Sequence, residues 1–318
     1  MPLSEFDIVA RYFNRRQDRR ADVLVGIGDD GAILYVPPEM DLVVSVDTLV
    51  AGVHFSEDLP PEDIGYRALA VNLSDLAAMG AEPAWATLAL TLPTADETWL
   101  EGFSHGFFDL ARTHSVQLVG GNIARGPLNI TIEVHGFVPK GAALRRSGAQ
   151  PGDAIYVTGT LGDAALALTA MEQLSEEDRR NCLERLRRPL PRVHQGRLLR
   201  GIAASAIDIS DGLLADLGHI CEASRVGAVI EPHHLPLSPA LQKIEDEEKR
   251  WQLALTGGDD YELCFTVPRG REERLKALES DFGCPLTRIG HVESGAGPHC
   301  LLPDGSHFHP ASSGYRHF

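Results

Sequence analysis

The chain has 318 residues, of which 43% are hydrophobic and 23% charged. This is the composition of a folded globular protein with room for two domains of about 100–200 residues each. The formal net charge is −16, which argues against nucleic acid and anionic membranes as partners, because both require a basic footprint. The charge also means that cations must stand between this acidic protein and any phosphate groups that it holds.

Five cysteines are spread along the chain without a C-x-x-C pair: Cys182, Cys221, Cys264, Cys284 and Cys300. This odd, dispersed set argues against a disulfide framework or a zinc site and is typical of a reducing compartment. The N-terminal residues lack the basic and apolar segments of a secretion signal. No run of about 18 apolar residues predicts a membrane span. We therefore expect a cytoplasmic protein that does not bind membranes.

The first half of the chain mixes predicted strands and helices. Apolar or alternating runs predict strands over 42–46, 86–92 and 130–138. A helix is expected over 62–79, because prolines and acidic residues mark its start and Gly80 follows its end. A second helix is expected over 98–114.

A domain boundary is expected near residues 141–152, where Gly, Pro and Arg cluster and the hydrophobic periodicity lapses. Beyond it, the pattern predicts strands over 154–157 and 261–267, and helices over 161–173, 213–223 and 272–280. The order of elements shows no sustained β-α-β alternation, which favours an α+β fold over a doubly wound sheet. We expect two domains, residues 1–148 and 149–318.

One glycine-rich segment, from Gly26 to Gly31, fits the dinucleotide-binding pattern G-x-G-x-x-G and follows an apolar run. Two features count against that function. Pro37 and Pro38 leave little room for the helix that this pattern should open. Asp29 and Asp30 would face a pyrophosphate directly, and like charges repel there unless a cation lies between them. No P-loop pattern occurs anywhere in the chain.

The residues most informative about chemistry are aspartates that lie where an element begins or ends, namely Asp30, Asp47, Asp75, Asp208, Asp211, Asp259 and Asp260. Carboxylates from several elements suit Mg²⁺, which prefers hard oxygen ligands and often joins protein carboxylates to substrate phosphates. Ordinary roles stay open for single residues, since Asp211 also fits a helix N-cap. Asp47 closes an apolar strand, so its carboxylate is expected to be partly buried and to need a partner or a metal.

Two further segments carry groups suited to phosphate. Gly120 and Gly121, just before Asn122, would let a ligand approach the backbone closely. Arg145 and Arg146 offer forked donors that match phosphate oxygens, although a solvated loop is an equally ordinary explanation for this pair.

Together these pieces resemble the thiamine-monophosphate kinase family. The resemblance rests on five segments in order along the chain: GIGDDGA at 26–32, SVDTLVAGVHF at 45–55, NLSDLAAMGA at 72–81, DISDGLLADLG at 208–218 and TGGDDYEL at 256–263. It implies an N-terminal and a C-terminal α+β domain, with the N-terminal sheets of a homodimer forming a β-barrel. It also implies transfer of the γ-phosphoryl group of ATP to thiamine phosphate, with several Mg²⁺ ions, giving thiamine diphosphate and ADP.

The resemblance assigns roles to particular residues. The implied catalytic residues are Asp47, Asp75 and Asp211. The implied metal ligands are Asp30, Ser45, Val46 through its main chain, Asp47, Asp75, Asn122, Asp208 and Asp211. The residues implied to contact ATP are Gly121, Asn122, Arg146 and Ser210. Those implied to contact thiamine phosphate are His54, Asp259 and Tyr315. Stacking on the thiamine ring is one role open to the Tyr315 side chain, and an ordinary surface aromatic is the other.

Two positions depart from the family pattern. Asn122 stands where the family usually has Asp, so one metal site loses a charge. Asp259 stands where the family usually has Glu, which keeps the charge on a shorter arm. The implied reaction requires no protein base, since a phosphate monoester has a second pKa of about 6 and is already an anion at neutral pH.

Two alternatives remain open from the sequence. One is another ATP-using enzyme of the same superfamily, such as aminoimidazole ribonucleotide synthetase, selenophosphate synthetase or a hydrogenase maturation factor. Selenophosphate synthetase is disfavoured, because it uses a reactive Cys or selenocysteine near its N-terminus and no cysteine precedes Cys182. The other is a non-catalytic nucleotide- or metal-binding regulator of the same fold, which only Asn122 favours.

Overall fold

The computed structural model describes residues 3–14, 19–170, 172 and 174–315. The chain divides into two compact units, Met1–Leu76 with Ala81–Gly141, and Ala77–Gly80 with Ala142–Phe318. Each unit contains both helices and sheet, without regular alternation, so the predicted α+β class is confirmed. Within the described ranges, no helix combines the length and apolar character that crossing a membrane requires.

The first unit is built around a four-stranded sheet. Its elements are α1 Glu5–Ile8, β1 Val23–Val25, β2 Ile33–Leu34, β3 Met40–Val50, α2 Pro61–Ala78, β4 Glu82–Leu92, α3 Glu97–Thr113, β5 Gln117–Arg125 and β6 Asn129–Pro139. The strand order is β3-β6-β4-β5. Strand β3 pairs antiparallel with β6 along its whole length, and β4 pairs parallel with β5. Strand β3 therefore forms one edge of the sheet and β5 the other.

The elements predicted for this unit are confirmed, with longer strands than expected. Strand β5 was not predicted as a strand, because two glycines interrupt its apolar run. Gly121 has φ +149, and a Cβ there would overlap the carbonyl oxygen of Leu88 on β4. The glycine thus has a structural reason in the close approach of two strands.

The segment from Gly26 to Gly31 connects two strands instead of opening a helix. Strands β1 and β2 pair antiparallel, with Val23 opposite Leu34. A hairpin does not present the helix N-terminus that a pyrophosphate would need. The expectation that this segment does not open a helix is therefore confirmed.

Helices α2 and α3 of the first unit touch backbone to backbone. A Cβ on Gly65 of α2 would overlap the carbonyl oxygen of Phe103, and one on Gly106 of α3 would overlap that of Glu62. Glycine is otherwise unfavourable inside a helix. The close approach of the two helices explains both glycines. Phe103 and Phe107 of α3 are fully buried.

The second unit is built around a seven-stranded sheet with the order β13-β12-β9-β11-β7-β10-β8. Its elements are β7 Ala154–Thr158, α4 Asp163–Thr169, α5 Glu176–Arg187, α6 Val193–Leu198, β8 Ser205–Asp208, α7 Leu213–Ser224, β9 Gly227–Ile230, α8 Pro239–Gln242, α9 Glu247–Thr256, β10 Leu263–Val267, α10 Glu272–Ala277, β11 Leu286–Glu293, β12 Gly297–Leu301 and β13 His307–Phe308. Helix α7 contributes Leu213, Leu217 and Ile220 to the main core, beside Ile207 of β8 and Ile230 of β9.

Three predicted boundaries of this unit were wrong. The helix predicted over 161–173 is α4, which starts after the left-handed Gly162 at φ +85 and ends at Thr169; Gln173, its predicted last residue, lies outside the described residues. The strand predicted from 261 begins at Leu263, because Tyr261 has φ +50 and cannot join a ladder. The helix predicted to residue 280 ends at Ala277, and a short 3₁₀ turn follows.

Candidate active site

Three predicted site residues meet where β3 faces α2 in the first unit. Ser45 and Asp47 lie on the same, partly buried face of β3, because side chains two residues apart in a strand point the same way. The Ser45 hydroxyl donates to Asp75 Oδ2 of α2 at 2.6 Å. The Asp47 backbone N–H donates to the side-chain oxygen of Asn72 at 3.0 Å. Val46 points to the opposite face, with its side chain 57% exposed.

Other predicted residues of this unit lie elsewhere. Asn122 is exposed on β5, the edge strand opposite β3. Two strands lie between β5 and β3, which are therefore about 14 Å apart at the usual strand spacing. Asp30 lies in the exposed connection between β1 and β2. His54 follows β3 in a turn, where its Nδ1 accepts the Val50 N–H at 3.0 Å. The first unit thus joins Ser45, Asp47 and Asp75 and leaves the others apart.

A second group of predicted residues meets in the second unit, on the loop that connects β8 to α7. The Ser210 carbonyl accepts the N–H of Asp259 at 2.9 Å, and the Asp211 carbonyl accepts the N–H of Tyr315 at 2.9 Å. Asp208 ends β8 and is 6% exposed. The fold therefore brings together four residues that the sequence placed on three distant segments.

This loop is supported from within α7 by Asp216. One oxygen of its carboxylate accepts the backbone N–H groups of Ser210, Asp211 and Gly212, at 3.0, 3.1 and 3.2 Å. Burial raises the pKa of the Asp216 carboxyl to about 7, against the opposing effect of these hydrogen bonds. The helix has no side-chain cap at Gly212, and Asp216 satisfies the amide groups of the three residues that precede the helix.

A buried ionic network lies beside the segment that carries Asp259. Glu262 is fully buried and accepts hydrogen bonds of 2.6 Å from Thr158, Arg185 and Arg192. Burial also raises the pKa of the neighbouring Asp260 well above its usual value, while the Gly162 N–H bonds to both of its oxygens. A charge as deep as that of Glu262 is tolerated only when it is paired, here with Arg185 and Arg192.

Sequence reasoning missed both supporting carboxylates. A signal was present in each case, since Asp216 interrupts the apolar run of α7 and Glu262 directly precedes the buried strand β10. An acidic residue among core residues must have partners. The sequence could not identify these partners, because Arg185, Arg192 and the loop amides lie far away or belong to the main chain.

Arg146 is exposed in the second unit, with its carbonyl held by the Ser224 hydroxyl at 3.1 Å. The guanidinium is thus presented to solvent on an anchored backbone.

Two features of the structure fall outside the predicted site. An apolar cavity of about 460 Å³ in the first unit is lined by residues such as Pro61, Trp99 and Leu128, and by none of the predicted residues. Among the described residues, two groups place three potential ligand atoms within 4.8 Å of one another: Glu231 with His233 and His234, and Glu62 with His105 and Asp109. Neither group contains a predicted metal ligand, so a bound metal at the predicted residues would need further oxygens from substrate or water.

The donor chemistry nevertheless fits Mg²⁺. Ser45, Asp47 and Asp75 in the first unit, and Asp208 and Asp211 in the second, offer only hydroxyl and carboxylate oxygens. No cysteine or histidine lies among these donors. Hard oxygen sets of this kind suit Mg²⁺, which keeps several waters and takes its remaining ligands from phosphates.

Known families account for most of the chain. Residues 28–138 match the family described as AIR synthase related protein, N-terminal domain. Residues 150–300 match its counterpart, AIR synthase related protein, C-terminal domain. A chain with both halves in this order is a two-domain AIR synthase related protein.

Individual relatives are more specific. Thiamine-monophosphate kinase of Escherichia coli (strain K12) is 51% identical over 322 residues, covering 100% of this chain and 99% of that protein. The crystal structure of thiamine-monophosphate kinase from Stenotrophomonas maltophilia K279a matches with a TM-score of 0.87 and 48% identity, over 96% of this chain and 98% of that one. AaThiL complexed with AMPPCP and TMP matches with a TM-score of 0.77 and 33% identity, over 89% of both chains. This chain belongs to the thiamine-monophosphate kinase family.

Proposed function

We propose that this chain transfers the γ-phosphoryl group of ATP to thiamine phosphate in a Mg²⁺-dependent reaction, giving thiamine diphosphate and ADP. The observation that carries the proposal is the AaThiL complex, in which a relative of 33% identity holds AMPPCP and TMP. AMPPCP is an ATP analogue that cannot pass on its terminal phosphate, and TMP supplies the acceptor. The 51% identical Escherichia coli protein bears the name of the same activity.

The residues of the first unit supply metal-binding oxygens in this proposal. Asp47 and Asp75 act as catalytic carboxylates, and Ser45 joins them through its hydrogen bond to Asp75. Asp30 and the main chain of Val46 add ligands. Asn122 offers a neutral carbonyl oxygen.

The second unit contributes the groups of the β8–α7 loop. Asp208 and Asp211 add metal-binding carboxylates, while Ser210 and Arg146 contact ATP together with Gly121 and Asn122. Asp259 and Tyr315 contact thiamine phosphate, as does His54. The support for grouping Ser210, Asp211, Asp259 and Tyr315 is that their backbones are already hydrogen-bonded to one another.

The chemistry follows from charge. The main obstacle is repulsion between the donor and acceptor phosphates. Mg²⁺ held by the carboxylates of Asp47, Asp75, Asp208 and Asp211 would supply the positive charge that offsets it. The acceptor oxygen is already anionic, so the protein residues align the two substrates in line and remove no proton. The His54 ring accepts the Val50 N–H at Nδ1, which orients the ring just after β3.

We further propose that residues 1–148 form the ATP-, Mg²⁺-binding and dimerisation domain, and that residues 149–318 contribute to binding of thiamine phosphate. The support for a homodimer is an exposed apolar face on the edge strand β3, where Leu42, Val44 and Val46 are 41%, 50% and 57% exposed. A barrel formed by two such sheets would cover this apolar face and pair the exposed edge of β3. The free cysteines of the described residues support the cytoplasm as the location.

Steady-state assays with purified protein test the activity. We expect ADP to form with ATP, Mg²⁺ and thiamine phosphate together, and not when thiamine replaces thiamine phosphate. Absence of turnover with thiamine phosphate, combined with ADP formation on another acceptor, would assign the chain to another reaction of the superfamily. Nucleotide binding without turnover on any acceptor would indicate a regulator.

A further inference from the structure

We propose that Asp216 is a positioning residue for phosphoryl transfer, because its carboxylate fixes the loop that carries Ser210 and Asp211. The inference rests on the proposed function and deepens it, since Asp216 itself is assigned no contact with substrate or metal. It acts through the backbone of three successive residues.

The Asp216 carboxylate lies directly beside the loop that precedes its helix. Asp216 lies in the first turn of α7 and is 3% exposed. Side chains in a helix point back toward the N-terminus, so this carboxylate reaches the loop that precedes its own helix. Its Oδ2 accepts the N–H groups of Ser210, Asp211 and Gly212 at 3.0–3.2 Å. One oxygen that accepts three successive amides fixes the positions of these amides relative to the helix.

The opposite side of the same loop is also held by hydrogen bonds. There the carbonyl groups of Ile209, Ser210 and Asp211 accept the N–H groups of Tyr261, Asp259 and Tyr315, at 2.8, 2.9 and 2.9 Å. The amide side of the loop is therefore bound by Asp216, and the carbonyl side is bound by the two segments that carry the proposed substrate contacts. A movement of the loop would displace all of them.

Those two segments lie very close to the loop. A Cβ on Gly258 would lie 2.5 Å from the Ser210 carbonyl oxygen, and one on Gly314 would lie 2.6 Å from that of Asp211. Real Cβ atoms do not approach backbone this closely, so both neighbours must be glycine. The loop is packed backbone to backbone on this side, which leaves Asp216 as the acceptor that can hold its amides in register.

The substitution Asp216→Asn tests this inference, because it keeps the shape of the side chain and removes its charge. Glu222→Gln is the matched control, an exposed residue of the same helix that undergoes the same loss of charge. We expect the amides of residues 210–212 to exchange with deuterium at least about tenfold faster in Asp216→Asn. We expect kcat to fall about 10- to 100-fold, as for other residues that orient ligands. The control changes neither quantity.

Several outcomes overturn the inference. Faster exchange of the loop amides with kcat within twofold of the wild type would leave Asp216 a purely structural role, and lost activity with unchanged exchange would exclude its action through the loop. If Asp216→Asn does not fold, Asp216→Glu, which keeps the charge but moves the oxygens, must show faster exchange and lower kcat together. A wild-type protein that makes no thiamine diphosphate refutes the proposed function. In that case the affinity for Mg²⁺-ATP is measured in place of kcat. An affinity that is the same in Asp216→Asn and the wild type then refutes the positioning role as well.

Discussion

Ser45, Asp47 and Asp75 illustrate how the backbone prepares oxygen donors before any ligand is present. The Ser45 hydroxyl fixes one oxygen of Asp75, and Asn72 holds the Asp47 amide. These contacts restrict the strand and the helix without using the Asp47 carboxylate as their acceptor. In the proposed function, the negative charge of Asp47 attracts the Mg²⁺ ion that binds a substrate phosphate.

Asp47→Asn tests this at a single residue. The substitution is isosteric and keeps the backbone bond to Asn72, so we expect the protein to fold normally. Turnover should fall at least about 100-fold, which corresponds to about 2.7 kcal/mol of lost transition-state stabilisation. Initial rates at saturating Mg²⁺ measure it, with the exposed Glu248→Gln as a control of equal charge change. A rate near that of the wild type would remove Asp47 from the proposed metal ligands.

Tyr315 is anchored through its backbone, while its side chain is 50% exposed. Tyr315→Ala should therefore leave the bond to the Asp211 carbonyl in place and remove only the ring. We expect the KM for thiamine phosphate to rise about three- to tenfold, the effect of losing one aromatic contact. The KM for ATP should change less, and Tyr315→Phe should behave like the wild type. Equal KM values for thiamine phosphate in Tyr315→Ala and the wild type would contradict the stacking role.

At the scale of elements, the contact between α2 and α3 reverses an ordinary rule. Alanine normally stabilises a helix by about 0.5–1 kcal/mol over glycine. At Gly65 and Gly106 the added methyl would overlap a carbonyl of the facing helix, and overpacking of this kind destabilises by about 1–3 kcal/mol.

Thermal unfolding of three variants measures this reversal. Gly65→Ala and Gly106→Ala should melt below the wild type. Gly218→Ala, in helix α7, is the control, because a Cβ on Gly218 would meet only Pro298 at 3.9 Å. This variant should melt at or slightly above the wild type. Stabilisation by all three substitutions would show that the helices do not approach as closely as described.

The elements also show what the sequence could and could not predict. Strand β3 and helices α2 and α7 follow from local patterns, because their apolar spacing and end signals lie within the segment itself. Strand β5 and the start of β10 cannot be predicted in this way. Gly121 is required by the close approach of β4, and Tyr261 has a left-handed backbone conformation that its residue type does not indicate. The site divides in the same way. Sequence motifs predict the aspartates. The contact of Tyr315 with Asp211 could not be predicted, because it depends on a tertiary hydrogen bond.

At the scale of the whole molecule, the exposed face of β3 is the feature that a monomer leaves unexplained. An apolar row on an edge strand is a template for association with another chain. Val44 lies in this row, half exposed and on the face opposite to Ser45 and Asp47. A charge at this position would be buried in a dimer and solvated in a monomer.

From the proposed dimer, we expect the wild type to be dimeric and Val44→Lys to be a folded monomer. Sedimentation equilibrium measures the mass, and Ser280→Lys, at an exposed turn of the second unit, is the control that should remain dimeric. A monomeric wild type, or a Val44→Lys variant that stays dimeric, would contradict an interface at this face.

The net charge of −16 repels phosphate groups, so we expect the proposed transfer between two phosphorylated substrates to require cations. Transfer of label from [γ-³²P]ATP tests this most directly. The account predicts that ³²P appears in the terminal phosphate of thiamine diphosphate when Mg²⁺ is present, and that EDTA abolishes the transfer. Label found only in inorganic phosphate, or transfer that persists in EDTA, would contradict it.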